Sequence, residues 1–295
     1  MSSGNLTADR RYDYAQSLRA EGDFSAAADL ISQALDLAPR WAEGRFALAE
    51  TLADAGRPAE AVAAYRAYLE TDPDDSMGAT PRLALLHAIA TPAALPAAYV
   101  ARLFDEYAPR FDEALTERLN YRGPALLKDA VTRVWPRPFS RVFDLGCGTG
   151  LAGVAFRDVA GWLGGVDLSP AMIKKAEGRK LYDHLEAADM NAALASLREP
   201  CELILAADVL VYVGDLTPLF ARVRAALSPG GLFAFTVQRA ETGDYILGRE
   251  QRFSHSRAYL ERCADQADFE VALIEEVVTR QEAGKDVPGL AVVLV

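Results

Sequence analysis

The stretch Arg-Val-Phe-Asp-Leu-Gly-Cys-Gly-Thr-Gly, residues 141–150, decides the fold of this chain. Residues 141–145 include apolar, β-branched and aromatic side chains, which predict a buried strand. Gly146, Gly148 and Gly150 follow at every second position, where the backbone can turn tightly and present bare N–H groups to a ligand. The helix predicted next would direct its positive end at the same ligand. The stretch therefore predicts a strand, a glycine loop and a helix that bind a nucleotide-like ligand.

Two classes of ligand use such a loop. Residues 148–153 read G-x-G-x-x-G, which is the pattern of dinucleotide-binding folds. Residues 144–150 read D-x-G-x-G-x-G, which is associated with S-adenosylmethionine, and glycines that serve only the turn are a third possibility. The next predicted strand ends at Asp167, 21 residues after Gly146. A carboxylate at that position can accept hydrogen bonds from both ribose hydroxyls of a nucleotide-like ligand.

Length, charge and composition exclude several classes of protein. The chain has 295 residues, of which 51% are hydrophobic, so two domains with buried cores are expected. The net charge of -11 argues against nucleic acid as the main partner, because phosphate binding requires clustered lysines and arginines. Three widely spaced cysteines match neither a disulfide framework nor a zinc site. Since the sequence also lacks a long apolar run and a signal peptide, we expect a cytoplasmic protein without metal or membrane contact.

Residues 9–90 contain an internal repeat with a period of 34 residues, the length of a tetratricopeptide (TPR) unit. The equivalent pairs are Tyr12 and Phe46, Ala15 and Ala49, Gly22 and Gly56, Ala27 and Ala61, Ile31 and Tyr65, and Pro39 and Pro73. Each unit is predicted to be two helices that turn at the glycine and end at the proline. One more helix, over Pro81–Ala90, is predicted to cap the last repeat. This TPR module is expected to dock a protein partner, or to serve as a packing extension or dimerisation arm.

Strands and helices alternate in the remainder of the chain. A proline-containing linker leads into residues 97–138, predicted as helical segments broken at Pro109 that form a lid or linker. Residues 139–295 are predicted as a ligand-binding α/β domain whose parallel sheet is covered by helices on both faces. Its last two strands are expected to pair as a hairpin. The predicted strands are Arg141–Leu145, Trp162–Leu168, His184–Met190, Cys201–Val209, Leu232–Gln238, Phe269–Arg280 and Leu290–Val295.

Several segments together resemble the class I S-adenosylmethionine (SAM)-dependent methyltransferases. They are residues 144–150, 165–176, 188–190, 202–216 and 227–235, in the order that the family has. Residues 103–115 and 121–127 look like the N-terminal lid of small-molecule methyltransferases. The chain is similar to bacterial methyltransferases preceded by TPR repeats and to the methyltransferase-like 27 protein. The resemblance implies an α/β fold: a seven-stranded Rossmann-like sheet that ends in an antiparallel hairpin and follows the all-α TPR module.

The resemblance also implies roles for individual residues. The residues implied in binding SAM are Asp144, Gly146, Cys147, Gly148, Thr149, Gly150, Asp167, Leu168, Met172, Asp189, Met190, Asp208 and Tyr107. Within this set, plain core packing is an equal alternative for the two methionines. Asp208 is also expected near the transferred methyl group, as a catalytic residue. Contacts with the acceptor are expected from Arg252, His255 and Tyr212, with His255 as a second catalytic residue. Either Arg252 or Arg257 is expected to bind an anionic group on the acceptor. The alternative is that residues 252–257 only form a loop in which Ser254 or Ser256 caps the next helix.

The predicted function is transfer of a methyl group from SAM to a small-molecule acceptor, with S-adenosylhomocysteine as the product. Alignment of the acceptor with the activated methyl group can supply about 7–11 kcal/mol of catalysis, so a metal or a catalytic triad is not required. Two alternatives stay open. An NAD(P)-dependent oxidoreductase would use the glycine loop and Asp167, but it has no role for residues 229–231 or for the lid. A non-catalytic scaffold would bind a partner through the repeats, with SAM structural or absent.

Overall fold

The computed structural model describes residues 2–111, 121–282 and 284–295. The chain divides into two compact units, Met1–Pro92 and Ala93–Val295. Among the described residues, the structure contains no helix that is both long enough and apolar enough to span a membrane.

The first unit consists of paired helices. They are α1 (Leu6–Glu21), α2 (Phe24–Leu37), α3 (Ala42–Asp54), α4 (Pro58–Leu69) and α5 (Ala79–Leu85). The chain turns within the two pairs at Gly22, with φ of 85°, and at Gly56, with φ of 71°, a backbone region that favours glycine. The side chains of Ala27 and Ala61 are fully buried, which lets the paired helices approach closely. The helix pairs expected from the repeat are therefore confirmed. The expected capping helix is observed as α5, which ends at Leu85.

The second unit begins with two helices that precede the sheet. Helix α6 (Ala97–Tyr107) runs into a single turn of 3-10 helix at Ala108–Arg110, and α7 (Gly123–Val134) follows. The predicted break at Pro109 is confirmed. It arises because proline cannot continue the hydrogen-bonding pattern of a helix. Residues 112–120 of the predicted lid lie outside the described residues.

The sheet of the second unit has the expected order. Its strands and helices are β1 (Phe139–Leu145), α8 (Leu151–Phe156), β2 (Ala160–Asp167), α9 (Pro170–Arg179), β3 (His184–Ala187), α10 (Met190–Ser196), β4 (Cys201–Ala206), α11 (Thr217–Ala226), β5 (Leu227–Arg239), β6 (Tyr245–Leu247), β7 (Phe253–His255), α12 (Arg257–Gln266), β8 (Val271–Glu282) and β9 (Lys285–Leu294). Strands β3, β2, β1, β4 and β5 are parallel neighbours in that order. Strand β9 pairs antiparallel with both β5 and β8, so the predicted hairpin is confirmed.

Strands β6 and β7 are an addition that the sequence did not predict. Strand β7 pairs in parallel with the last residues of β5, where Gln238 and Arg239 lie opposite Ser254 and His255. Strand β6 then pairs antiparallel with β7. Each of these strands has three residues, which is too short to give a clear alternation of apolar and polar side chains.

Two hydrophobic cores lie on opposite faces of the sheet. Successive residues of a strand point to opposite faces, so Phe143 and Ile204 join one core while Val142, Leu203 and Leu205 join the other. Because both faces are buried, Leu203–Ala206 of β4 are apolar at successive positions rather than alternating with polar residues. Strand β1 has β2 on one side and β4 on the other, and both neighbours continue in parallel. The chain order of the sheet therefore reverses at β1, which is where open α/β sheets bind ligands.

Candidate functional site

A cavity of about 310 Å³ lies at the carboxyl ends of the parallel strands. The walls come from α6 and the turn after it, the start of α7, the glycine loop, and the ends of β2 and β4. Two arginines that lie further along the chain complete it. The lining residues are Val100, Leu103, Phe104, Tyr107, Phe111, Tyr121, Pro124, Gly146, Cys147, Gly148, Thr149, Leu151, Ala152, Val166, Asp167, Leu168, Ala188, Met190, Ala207, Asp208, Val209, Tyr212, Arg252 and Arg280.

The glycine loop after β1 depends on backbone shapes that other residues rarely adopt. Gly146, Gly148 and Gly150 have φ of 64°, 54° and 90°. A Cβ atom added at Gly146 would lie 2.3 Å from Cγ2 of Val209, so this position has no space for a side chain. The loop can therefore approach both the neighbouring strand end and a ligand only because glycine occupies it.

Asp167 connects the end of β2 to the glycine loop. Its Oδ2 accepts a hydrogen bond from the Gly148 N–H at 3.0 Å, and its Oδ1 accepts one from the Ser169 N–H at 2.8 Å. Burial raises the pKa of Asp167, although these two N–H groups act in the opposite direction. Each carboxylate oxygen has a second lone pair, so Asp167 retains the capacity to accept bonds from a ligand in the cavity.

Asp144 lies beneath the loop, where it contacts other protein groups and does not line the cavity. Its Oδ2 accepts a 2.6 Å hydrogen bond from the hydroxyl of Tyr182, and that hydroxyl accepts one from the Gly153 N–H at 3.0 Å. Burial raises the pKa of Asp144 to about 7. The pair thus joins β1 to α8 across the loop. Sequence reasoning missed Tyr182, because one tyrosine in the polar segment before β3 gives no distinctive pattern.

Helix α6 is held against the site by a side chain that the sequence analysis did not select. Asp105 Oδ1 accepts hydrogen bonds from the Ser169 hydroxyl, at 2.5 Å, and from the Ala171 N–H, at 3.1 Å. These donors lie at the start of α9, where a carboxylate is stabilised by unpaired N–H groups. The aromatic rings that follow on this segment pack edge to face. The centroid of Phe111 lies 5.9 Å from that of Phe104 and 5.5 Å from that of Tyr107.

Four ionic side chains form a charged cluster at the other end of the cavity: Asp208, Arg252, Arg280 and Glu282. Both carboxylate oxygens of Asp208 accept from Nη1 of Arg280 at 2.7 Å. Oε1 of Glu282 accepts from Nε of Arg280 at 3.0 Å and also from Nη1 of Arg252. The Arg280 side chain is only 2% exposed, and its Nη2 has no hydrogen-bond partner among the residues that the structure describes.

The environment keeps the guanidinium of Arg252 ionised. Burial alone would lower the pKa of Arg252, but Tyr212, Glu282 and Asp208 nearby raise it above its ordinary value. Burial raises the pKa of Asp208, whereas the charges of Arg280 and Arg252 lower it. Asp208 also has φ of 56°, a left-handed conformation that is uncommon outside glycine. Such outliers are often found at functional sites.

Several residues predicted from the sequence do line the cavity. The loop residues from Gly146 to Thr149 do so, as do Asp167, Leu168, Met190, Asp208 and Tyr107. Tyr212 and Arg252, which were expected to contact the acceptor, lie in the same wall. Sequence reasoning missed Arg280, Tyr121 and Val209. Arg280 lies 72 residues from the aspartate that it binds, and no local spacing indicates that pair.

The expected position of His255 is corrected by the structure. Its ring is fully buried, and Nε2 lies 2.9 Å from the carbonyl oxygen of Val213 and 3.1 Å from that of Gly214. Burial lowers the pKa of His255 to about 4, so the ring is neutral at pH 7. Ser256 is the N-cap of α12, as the alternative interpretation proposed. A buried, neutral ring bonded to backbone carbonyls is a structural group, and we do not assign His255 to acceptor binding.

Three predicted cofactor residues also lie away from the cavity wall. Met172 is fully buried among core residues of α9. Asp189 caps α10, where its Oδ1 accepts from the N–H groups of Asn191 and Ala192. Gly150 is the N-cap position of α8, facing the side chains of Tyr182 and Arg179. These positions explain the residue types through packing, capping and backbone conformation.

Comparison with known proteins matches both units to families. Residues 118–274 match a family described as methyltransferase domain, and residues 12–76 match one described as tetratricopeptide repeat. The first match covers the predicted sheet as far as residue 274, and the second covers both predicted repeats.

Curated relatives match a smaller part of the chain. The chain is 31% identical to the carboxy-S-adenosyl-L-methionine synthase of Psychrobacter sp. over 140 residues, which are 41% of this chain and 50% of the relative. It is 34% identical to the trans-aconitate 2-methyltransferase of Pseudomonas aeruginosa over 119 residues, 40% of this chain and 42% of the relative. The chain therefore spans about half the length of these relatives, or less.

Among solved structures, the chain is similar to the 1,6-didemethyltoxoflavin-N1-methyltransferase of Burkholderia thailandensis. The TM-score is 0.52 at 19% identity, and the match covers 70% of this chain and 92% of that one. At this level of identity, the similarity shows the fold alone. It agrees with the predicted Rossmann-like sheet.

Proposed function

The chain belongs to the methyltransferase domain family, and on that premise we propose that it transfers a methyl group from SAM to a small-molecule acceptor. One observation carries the proposal. The cavity at the strand ends combines a loop of left-handed glycines with a half-buried carboxylate, Asp167, on the adjacent strand. Names of relatives support the same chemistry, since the P. aeruginosa relative is called a methyltransferase.

The residues of one wall fit SAM. Gly146 and Gly148 line the cavity, where a backbone without side chains leaves room for a bulky ligand. Asp167 has lone pairs available for a ribose diol. The side chains of Leu168 and Met190 provide an apolar surface of the kind that a flat adenine ring requires. We assign these residues to cofactor binding.

Bound SAM would supply a methyl group activated by a positively charged sulfur, for transfer to a lone pair of the acceptor. The S–C electron pair would stay on sulfur, giving S-adenosylhomocysteine, and a neutral acceptor would release a proton. The protein's part is to align the acceptor and exclude water, which is where methyl transfer gains most. Tyr107, Phe104 and Phe111 supply apolar surface that excludes water. We assign Asp208 to positioning rather than proton transfer, because Nη1 of Arg280 binds both of its oxygens.

The oxidoreductase alternative is less well supported. Dinucleotide-binding sheets of the doubly wound type continue in parallel beyond the fifth strand. In this chain the neighbour of β5 over residues 233–238 is the antiparallel strand β9. The methyltransferase match covers the same region, so both the topology and the family favour SAM.

Calorimetry on the full chain tests the proposal. SAM and S-adenosylhomocysteine should bind at one site per chain, and NADH should give no heat above dilution. Transfer of a labelled methyl group from SAM to components of a metabolite extract should then identify acceptors. NADH binding without SAM binding would overturn the proposal, while SAM binding without transfer to any acceptor would favour the non-catalytic scaffold.

The second part of the proposal concerns the repeats. We propose that the TPR module docks a protein partner or a second copy of the chain, because repeat families of this kind offer extended binding surfaces. Light scattering on the full chain over a range of concentrations distinguishes these roles. A concentration-dependent dimer would favour self-association, and a monomer throughout would exclude it in favour of a different partner or a packing extension.

A further inference from the structure

Within the proposed methyltransferase function, we propose that the acceptor is a small organic acid whose carboxylate binds Arg280 and Arg252. The inference starts from an unsatisfied donor. Arg280 is almost fully buried and lines the cavity, yet its Nη2 has no partner among the described residues. Buried polar atoms nearly always have hydrogen-bond partners, so this donor at the cavity wall requires an acceptor, which a ligand or a water molecule can supply.

The chemistry of the donor selects the ligand. A guanidinium carries five N–H donors and no acceptor, so it pairs with carboxylate or carbonyl oxygens and excludes an ammonium group. Asp208 and Glu282 occupy Nη1 and Nε of Arg280 and thereby fix the plane of its side chain. The remaining nitrogen, Nη2, is then held in a fixed orientation, from which it can donate to one oxygen of a carboxylate.

A second guanidinium lies in the same wall. Arg252 shares the carboxylate of Glu282 with Arg280 through its Nη1, and it lines the cavity as well. In the cluster, two carboxylates balance two guanidiniums, so the arginines are held in place without an excess of negative charge. An incoming carboxylate therefore meets two positioned guanidiniums, and the negative charge of Asp208 in the same wall is already paired with Arg280.

The remaining wall defines the body of the acceptor. Tyr212 and Phe104 pack edge to face with centroids 5.4 Å apart, and Leu103 continues the same surface. Apolar and aromatic side chains of this kind bind hydrocarbon parts of a ligand. The acceptor class that fits is an acid with an apolar or aromatic body, rather than an amine or a sugar.

The test uses matched pairs of compounds on the full chain saturated with S-adenosylhomocysteine. Phenylacetate, cinnamate and succinate are each compared with the corresponding amide by calorimetry. At least one acid should bind about tenfold more tightly than its amide, because a charge-assisted bond is replaced by a neutral one. Arg252→Gln should abolish that preference, and Arg280→Lys, which keeps the charge but removes the Nη2 donor, should reduce it. Arg249→Gln, an exposed arginine on the same loop, should leave the preference unchanged.

The outcomes separate this inference from the proposed function. If no acid binds more tightly than its amide, or if both arginine variants keep the preference, the inference is wrong even when S-adenosylhomocysteine binds normally. If S-adenosylhomocysteine itself does not bind, the proposed function fails first. Normal binding of S-adenosylhomocysteine by Arg252→Gln, together with a lost preference for acids, supports both.

Discussion

The two ends of the cavity are built in different ways. At one end, Gly146, Gly148 and Asp167 lie within 21 residues of one another, and the contact between them uses a backbone N–H. At the other end, Asp208 binds Arg280 across 72 residues, entirely through side chains. The first end depends on local backbone conformation, and the second depends on the packing of three distant strand ends and loops.

This difference implies different sensitivities. A site made of backbone groups tolerates few residue types, and it depends only on the local conformation of the chain. A cluster of buried side-chain ions is stable only when each charge has its partner, so removing one member leaves another unpaired. The glycine loop should therefore respond to steric changes, and the charged cluster should respond to changes in charge.

The largest effect is expected from Gly146→Ala. The new Cβ would meet Val209 at 2.3 Å, at a position with φ of 64°. We expect a loss of about 1–3 kcal/mol in the free energy of unfolding from overpacking and backbone strain. SAM affinity should fall about 100-fold or more because the loop can no longer approach the ligand. Chemical denaturation and calorimetry measure the two quantities.

Gly178→Ala is the matched control. Gly178 lies within α9, and a Cβ added there meets nothing within 4 Å. Because alanine favours a helix, this variant should gain up to about 1 kcal/mol of stability and bind SAM normally. Equal losses in the two variants would mean that the loop has no special steric requirement.

The second prediction concerns pH at the glycine-loop end. Burial raises the pKa of Asp144 from 3.8 to about 7, so between these values the folded chain holds a proton that the unfolded chain has released. Stability from this group is therefore lost as pH rises, by at most about 1.4 kcal/mol per pH unit. Asp144→Asn keeps an acceptor for Tyr182 but cannot ionise. Denaturation from pH 5 to pH 8 should show a steeper decline in the parent than in this variant, and parallel curves would contradict the burial argument.

The third prediction concerns His255, whose contribution to stability should change with pH in the opposite direction. Burial lowers its pKa from 6.5 to about 4, so the unfolded chain takes up a proton first as pH falls. Stability from this group is complete above pH 6.5 and is lost toward pH 4, again by at most about 1.4 kcal/mol per pH unit. His255→Gln should flatten that part of the curve. Its effect on methyl transfer should only follow its effect on folding. A large loss of turnover in a fully folded His255→Gln protein would restore the catalytic role that the sequence suggested.

The smallest expected effect separates the two ends directly. Asp167→Asn should weaken SAM about tenfold by removing a charged acceptor, while the ratio of acid to amide affinity stays the same. Arg252→Gln should lower the ratio of acid to amide affinity and leave SAM affinity unchanged. Calorimetry with each ligand in turn measures both. If either variant changes both ligands equally, the two ends do not act as separate binding regions.

Much of the fold followed from patterns that are local in the sequence. Gly22 and Gly56 marked the turns of the helix pairs because the backbone there is left-handed, a conformation that favours glycine. The apolar runs of β1 and β4 marked buried central strands because both of their faces are covered. Strands β6 and β7 escaped prediction because three residues carry too little pattern.

For the site, the sequence by itself determined the glycine loop and Asp167, since backbone conformation and a fixed strand spacing define them. Only the tertiary structure decided what the isolated polar residues do. It brought Arg280 to Asp208, and it buried His255 against backbone carbonyls. The physical reason is that a side chain's partner, when it comes from a distant strand, leaves no trace in local spacing. Burial and pairing, which set its charge and its role, are properties of the packed chain.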